Sequence, residues 1–233
     1  MSNDFYHSAE LRWFLPEQSP WDRILHWFTL QGRLPINVEG QYDPRTVTRP
    51  FVKLERERVD EYLLLPQCDT VGVKKRQGKL EVKALIAGPR PFSLGGVVGR
   101  ADQWVKWSFD PSEAMATQLE IELDQSGPWR RVVKTRHTQK ISLDSVRPIA
   151  VPPDQYPETG CNIELTVIDV QATLRTWLTF GFEAFGPSAR VMALLDEAVP
   201  HFFAAYGPLP VSLDGSDSLS YPAWLAKLHQ DDR

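Results

Sequence analysis

The segment GVKKRQGKLEVKAL, residues 72–85, predicts two short β-strands joined by a hairpin turn. Successive side chains of a strand point to opposite faces, so residues two apart share a face. Charged residues recur two apart in both strands: Lys74 and Arg76 in the first, and Glu81 and Lys83 in the second. Most of the positions between and beside them are apolar. The dipeptide Gln77-Gly78 is a short hairpin signal. The pattern therefore favours antiparallel β-structure with one charged face.

Further strand-like segments follow the same alternation. They lie at residues 8–15, 51–65, 70–77, 79–87, 103–109, 117–124, 129–143, 162–170 and 175–185. Apolar residues at helical spacing predict helices near residues 20–31, 188–206 and 220–228. Many strands with few helices between them favour a β-sandwich or barrel over a βαβ fold. We expect one domain over residues 1–233, with the C-terminal helices of 188–228 packing on it.

Composition excludes several classes of protein. No apolar stretch approaches the roughly 20 residues of a membrane span, and the N-terminus lacks the pattern of a secretory signal, so we expect a cytoplasmic protein. The cysteines, Cys68 and Cys161, show neither a disulfide framework nor zinc-ligand spacing. The formal charge of -4 argues against a dedicated nucleic-acid binder. The sequence does not indicate an oligomeric state.

Charge is segregated along the chain. Residues 129–150 carry six Lys or Arg and one acid, whereas residues 110–128 carry five acids and no base. Opposite charge on neighbouring strands has two explanations: the charged faces of both strands are exposed to solvent, or the strands form a site that holds both cations and anions.

Several predicted strands place two charged residues on one face. These pairs are Glu10 and Arg12, Lys74 and Arg76, Glu81 and Lys83, Glu120 and Glu122, and Lys134 and Arg136. In an ordinary barrel such faces point to solvent. The alternative is a wide barrel with a charged lumen, in which bases neutralise a polyphosphate and carboxylates hold a divalent ion. The mixture of signs favours this alternative.

Six stretches, in order along the chain, carry a family resemblance. They are AELRWFL (9–15), VDEYLLLP (59–66), GVKKRQGKLEVKAL (72–85), WRRVVKTR (129–136), TWLTFGFEAFG (176–186) and SYPAWL (220–225). Together they resemble the CYTH, or triphosphate tunnel metalloenzyme, superfamily, of which the chain looks like a divergent member. The resemblance implies a β-rich α+β fold, an antiparallel eight-stranded tunnel with flanking helices. It also implies a triphosphate ligand with Mg²⁺ or Mn²⁺.

The resemblance further implies roles for individual residues. The residues expected to bind substrate are Arg12, Lys74, Arg76, Lys83, Lys134 and Arg136. Those expected to bind the metal are Glu10, Glu81 and Glu183, and those expected to be catalytic are Glu10 and Lys83. The implied function is binding of a small-molecule triphosphate or nucleotide, with metal-dependent hydrolysis. The alternatives are a non-catalytic polyanion- or nucleotide-binding protein and a structural interaction protein.

Two departures from the family pattern concern metal binding. The family's N-terminal Glu-x-Glu-x-Lys motif corresponds here to Ser8, Glu10 and Arg12, and a late Glu-x-Glu pair corresponds to Gly181 and Glu183. Fewer carboxylates predict weaker binding of a hard divalent ion. Either Glu120 and Glu122 replace the missing acids, or they lie on a solvent-facing strand.

Overall fold

A computed structural model describes residues 5–17, 20–30, 52–115, 117–118, 128–170 and 175–231. The strands are β1 (Tyr6–Pro16), β2 (Lys53–Leu63), β3 (Val71–Arg76), β4 (Lys79–Leu94), β5 (Val97–Phe109), β6 (Trp129–Ser142), β7 (Ile149–Val151), β8 (Gly160–Val170) and β9 (Arg175–Phe185). The helices are α1 (Trp21–Leu30), α2 (Val191–Tyr206) and α3 (Tyr221–Asp231), with a 3-10 turn at Gly215–Asp217.

Eight strands close into an antiparallel barrel. The hydrogen-bonded order is β2-β3-β4-β5-β1-β9-β8-β6, and β6 pairs with β2 to complete the ring. The short strand β7 pairs with β6 outside that ring. The predicted β-rich α+β fold with an eight-stranded barrel is therefore confirmed. A barrel of eight strands leaves an interior just wide enough for side chains or one small ligand.

The outer face of β1 carries the larger hydrophobic core. Ala9, Leu11, Trp13 and Leu15 are buried there, and they join a cluster with residues of α1 and α2 such as Phe28 and Phe202. The polar residues of β1 alternate with these and therefore point into the barrel. The helices thus cover the apolar outside of the barrel wall, and the charged face lies inside.

A second cluster fills one end of the barrel interior. Its buried members come from four strands, from the residue that follows β2 and from α3, and they include Phe14, Tyr62, Val132, Ile168 and Trp224. The segment before α3 is fixed to β1, because Leu219 N donates to the Arg12 carbonyl over 3.1 Å. The C-terminal helix consequently closes this end and leaves the charged part of the lumen beside it.

Strands β4 and β5 extend beyond their predicted bounds. They meet at a hairpin turn of Gly95 and Gly96, which have φ values of +64° and +79°. The sequence hides the extension of β4 because Gly88, Pro89 and Pro91 are typical of loops, and the strand passes them through register shifts.

One further predicted strand differs from the structure, and one observed strand was not predicted. Residues 117–118 of the predicted strand 117–124 are helical, and residues 119–124, including Glu120 and Glu122, lie outside the described residues. Strand β7 was not predicted because three residues after a proline carry too little periodicity. Within the described ranges, no helix has the length and apolar character that a membrane span needs.

Candidate functional site

The barrel encloses a cavity of about 130 Å³. A cavity of this volume has room for several water molecules, so side chains do not fill the interior. Among the described residues, eight basic and four acidic side chains line it: Arg12, Arg58, Lys74, Arg76, Lys83, Lys106, Lys134, Arg136, Glu10, Glu81, Glu164 and Glu183. The cavity wall therefore has a surplus of positive charge.

All nine residues that the sequence marked as site candidates line this cavity. They are Glu10, Arg12, Lys74, Arg76, Glu81, Lys83, Lys134, Arg136 and Glu183. Their convergence follows from strand register, since Lys74 lies opposite Glu81, and Glu10 lies opposite Glu183. Residues that face each other across antiparallel strands share a face of the sheet. The individual roles of the nine residues stay predictions.

Glu10 and Glu183 are two facing carboxyl groups with different surroundings. Lys83 Nζ donates to Glu10 Oε2 over 3.0 Å and lies 4.2 Å from the centre of the Trp104 ring. Burial alone would raise the pKa of Glu10, but the positive charges of Lys83, Arg12 and Lys106 together outweigh burial and lower it. The pKa of Glu183 is raised, because burial and the negative charge of Glu10 outweigh the attraction of Lys106.

Asp60 is a fully buried carboxylate shared by three bases. Its oxygens lie 3.0 Å from Lys134 Nζ, 3.6 Å from Lys74 Nζ and 3.1 Å from Arg58 Nε. Burial would raise the pKa of Asp60, but the three cations together lower it. Burial lowers the pKa of Lys74 and of Lys134 to about 8, and the attraction of Asp60 opposes that effect. The hydroxyl of Tyr62 joins this group, since Lys134 Nζ donates to it over 2.5 Å.

Glu81 is occupied by bases rather than free. Arg76 Nη2 lies 2.5 Å from one of its oxygens and Lys74 Nζ lies 3.1 Å from the other. Burial would raise the pKa of Glu81, and the two cations lower it. This carboxylate fixes the positions of Lys74 and Arg76 on the opposite strand.

Glu164 of β8 pairs with two arginines inside the barrel. Arg12 Nη2 donates to Glu164 Oε2 over 2.9 Å, and Arg136 Nη1 donates to Glu164 Oε1. Arg136 also contacts Glu55, with Nε donating over 2.9 Å. Burial would raise the pKa of Glu164, but Arg136 and Arg12 together lower it. Burial would lower the pKa of Arg12, but the negative charges around it, that of Glu164 foremost, raise it.

The ion pairs leave hydrogen-bond donors unused. Asp60 serves three bases, and Glu81 and Glu164 serve two each. A lysine has three N–H donors and an arginine five, so shared carboxylates satisfy only part of each base. The cavity can therefore offer charge-assisted hydrogen bonds to an anion without losing its own pairs.

Arg58, Lys106 and Glu164 were not singled out from the sequence, and Asp60 lies in a quoted motif, VDEYLLLP (59–66), but was assigned no role. Glu164 and Lys106 lie on β8 and β5, two strands that the sequence predicted from alternating polar and apolar residues. On β8, Asn162 and Thr166 are two residues from Glu164 on either side and share its face of the strand. That parity was a signal that could have identified them. Arg58 and Asp60 were harder to find, because charged residues occupy both faces of β2 in KLERERVDEYL.

The structure accounts for the missing acid at Gly181. A β-carbon added there would lie 3.0 Å from the Arg12 guanidinium carbon and 3.2 Å from its Cγ. Arg12 therefore fills the space that a side chain at position 181 would need, and Glu164 on the next strand supplies the carboxylate beside it.

The three predicted metal ligands differ in their surroundings. Glu10 and Glu183 face each other and line the cavity, whereas Glu81 is held by Lys74 and Arg76. Mg²⁺ commonly takes one or two carboxylates and completes its shell with water and phosphate oxygens. Across the part of the chain that the structure describes, no group of three or more His, Cys, Asp or Glu residues is arranged to hold a metal.

Comparisons with known proteins add little to this geometry. No protein-family model and no curated protein matches the chain. Among solved structures the chain is similar to the RNA triphosphatase Pct1 of S. pombe, with a TM-score of 0.34 and 12% identity. The match covers 88% of this chain and 82% of that one. A likeness of this size supports no conclusion about activity, so the resemblance to the triphosphate tunnel superfamily stays a prediction from the sequence motifs.

Proposed function

We propose that the barrel lumen binds a triphosphate group and, with a divalent ion, hydrolyses it. The observation that carries the proposal is the convergence of eight basic side chains on one cavity, where Glu81 and Glu164 are each shared between two of them. A triphosphate carries several negative charges on closely spaced oxygens, and a cluster of Lys and Arg in a low-dielectric cavity matches that arrangement.

The bases divide into two groups in this proposal. Arg12, Lys74, Arg76, Lys134 and Arg136 bind the phosphate oxygens, and their carboxylate partners hold them in position. Lys83 lies beside Glu10 and would stabilise charge that develops on the phosphoryl group undergoing attack. Because these donors are already oriented, little reorganisation is needed when the charge develops.

Glu10 and Glu183 would hold the divalent ion, Mg²⁺ or Mn²⁺. The surrounding cations, Lys83 and Arg12 foremost, offset burial and keep the pKa of Glu10 low, so this carboxylate stays charged at neutral pH. An ion bound there would polarise the phosphoryl oxygens of the substrate. We propose that Glu81 positions Lys74 and Arg76 rather than binding the ion, because both of its oxygens already contact them. The cytoplasmic location stays a prediction.

The second candidate function is binding of a polyanion without hydrolysis. It is favoured by the small number of facing carboxylates, because only Glu10 and Glu183 are directly opposed at the proposed ion site among the described residues. In that case the triphosphate would bind and no phosphate would be released. A protein with a purely structural role would neither bind triphosphate nor release phosphate.

Isothermal titration calorimetry with inorganic triphosphate tests the binding step. We expect one site per chain in the wild type and at least a tenfold loss of affinity in Lys74→Ala/Arg76→Ala. The matched control is Lys53→Ala/Arg147→Ala, which removes one lysine and one arginine that are exposed. If the double variant does not fold, Arg76→Ala alone serves, because this side chain is 28% exposed. Unchanged binding in these variants would place the anion outside the lumen.

Phosphate release in the presence of Mg²⁺ or Mn²⁺ tests the hydrolysis step. The proposal predicts release that stops when the ion is chelated and that falls at least tenfold in Glu10→Gln. Tight binding without any release would favour the non-catalytic candidate.

A further inference from the structure

The outer wall of the barrel formed by β4 and β5 is apolar. Glu81 and Lys106 line the cavity, so the residues that alternate with them along these strands face outward. These outward residues are Leu80, Val82, Trp107 and Phe109. Phe5, which precedes β1, extends the wall, because its ring centre lies 5.9 Å from that of Trp107 in an edge-to-face contact. We call these five residues the β4–β5 wall.

The β4–β5 wall is partly open to solvent. Phe5 is 55% exposed and Phe109 is 42% exposed, and the other three residues are partly exposed. The helices α1 and α2 cover the exterior beside β1, β8 and β9, but neither hydrophobic cluster of the described residues includes a member of the wall. A single exposed apolar side chain is ordinary, whereas contiguous Trp and Phe side chains are typical of the core of a protein–protein interface.

The wall is complementary to itself in side-chain size. Val82 lies directly opposite Trp107 in the sheet, and Leu80 lies directly opposite Phe109. The aliphatic residues of the wall are therefore on β4 and the aromatic ones on β5. A two-fold axis that runs along the strands, between β4 and β5, exchanges these two strands without a shift along them. It places Trp107 of one copy on Val82 of the other, and Phe109 on Leu80, in the aligned packing that two sheets adopt.

The charges at the end of the wall fit the same axis. The β3–β4 hairpin carries Lys75 and Lys79, whereas the residues that follow β5 include Asp110 and Glu113. Lys79 and Asp110 are largely exposed, at 55% and 82%. Because the axis exchanges β4 with β5, it brings the basic end of one copy to the acidic end of the other, and the same contact occurs twice. Charge and side-chain size thus favour the same arrangement of two copies.

We propose that the β4–β5 wall is the contact face of a homodimer with this two-fold axis. The inference is independent of the proposed function, because the wall lies outside the barrel and the charged cavity lies inside it. The outer face of a barrel is convex, and five apolar residues are few beside the about 20–30 residues that each partner contributes to a standard interface. We therefore expect a dimer that dissociates in the micromolar range rather than an obligate one.

Sedimentation velocity of the full chain over a micromolar concentration range tests the dimer. The wild type should shift from monomer to dimer as the concentration rises. Leu80→Glu and Phe109→Lys should each weaken the dimer at least tenfold, because each places a charge against an apolar residue of the other copy. Phe5→Glu should weaken it as well, and it serves if either of those variants fails to fold. Ile149→Glu is the control, because Ile149 is 51% exposed but lies on β7, outside the wall.

An equimolar mixture of Leu80→Glu and Phe109→Lys tests the axis. In a mixed dimer the new carboxylate at position 80 meets the new ammonium at position 109 of the other copy, and the second contact keeps the native Leu80 and Phe109. The mixture should therefore dimerise with an affinity within threefold of the wild type, although each variant alone does not. A wild type that stays monomeric overturns the proposal. A dimer that both variants leave intact, or a mixture that does not dimerise, overturns it as well.

Discussion

Arg12 of β1 lies directly opposite Gly181 of β9, and the absence of a side chain at Gly181 gives the Arg12 guanidinium its place in the lumen. From that place Arg12 reaches Glu164 over 2.9 Å and Thr179 over 3.2 Å. Its guanidinium carbon also lies 5.1 Å from the centre of the Tyr221 ring. Gly181 therefore matters because it leaves room for a charged side chain of the cavity, and not because a turn requires a glycine there.

Gly181→Ala should displace Arg12 and weaken both folding and anion binding. The new β-carbon would lie 3.0 Å from the guanidinium carbon, closer than ordinary contacts allow. Overpacking of this kind costs about 1–3 kcal/mol of the free energy of unfolding, measurable by urea titration. Gly215→Ala is the control, since its nearest neighbour would be 3.6 Å away. Equal stability and equal triphosphate affinity in the two variants would contradict the assigned position of Arg12.

Anion binding should weaken above pH 8. Burial lowers the pKa of Lys74 to about 8, so its ammonium is fully charged only below that pH and is lost as the pH rises through it. Lys74→Arg keeps its charge throughout this range. Both proteins meet the same form of the ligand at each pH, so titration of the ligand cancels in the ratio of wild-type to Lys74→Arg affinity. That ratio should be constant below pH 7 and should fall by up to tenfold per pH unit above pH 8. A constant ratio up to pH 10 would show that Lys74 titrates normally.

Asp60→Asn should lower the pH at which binding weakens. Without the carboxylate, burial lowers the pKa of Lys74 and Lys134 further, so both lose their charge below pH 8. Removal of one member of a buried ion cluster also costs about 3–5 kcal/mol of the free energy of unfolding. Asp196→Asn is the control, because it breaks a partly exposed pair with Arg90. If the pH dependence of binding is the same in Asp60→Asn as in the wild type, Asp60 does not set the charge of Lys74 and Lys134 and has only a structural role.

Sequence parity was sufficient to identify the lumen-facing residues of several strands. Glu10 and Arg12 alternate with Ala9, Leu11 and Trp13, and that alternation alone assigns opposite faces. The partners of these residues could not be read from parity. Arg12 and Glu164 are 152 residues apart, and they meet because β9 lies between β1 and β8 in the ring. Strand order depends on the packing of the whole barrel, which no local pattern encodes.

The role predicted for Glu81 shows a related limit. Its parity placed it in the lumen, but the sequence could not show that Lys74 and Arg76 would both reach it across the β3–β4 hairpin. Carboxylates that bind a metal and carboxylates that orient bases look alike in a strand pattern. They differ only in the cations around them.

Metal binding should depend on Glu183. In the presence of triphosphate, Mn²⁺ should raise the melting temperature of the wild type, because a ligand of the native state stabilises it by mass action. Glu183→Gln should remove that increase, and Glu197→Gln on the exposed side of α2 should retain it. An increase that survives Glu183→Gln would place the ion elsewhere.

A crystal structure of the protein with inorganic triphosphate tests the central claim most directly. The account predicts a single triphosphate inside the barrel, with oxygens within hydrogen-bond distance of Lys74 and Arg76 and with the Arg12–Glu164 pair intact. A triphosphate bound on the outer surface, or a lumen without ligand at concentrations that saturate binding in solution, would contradict it.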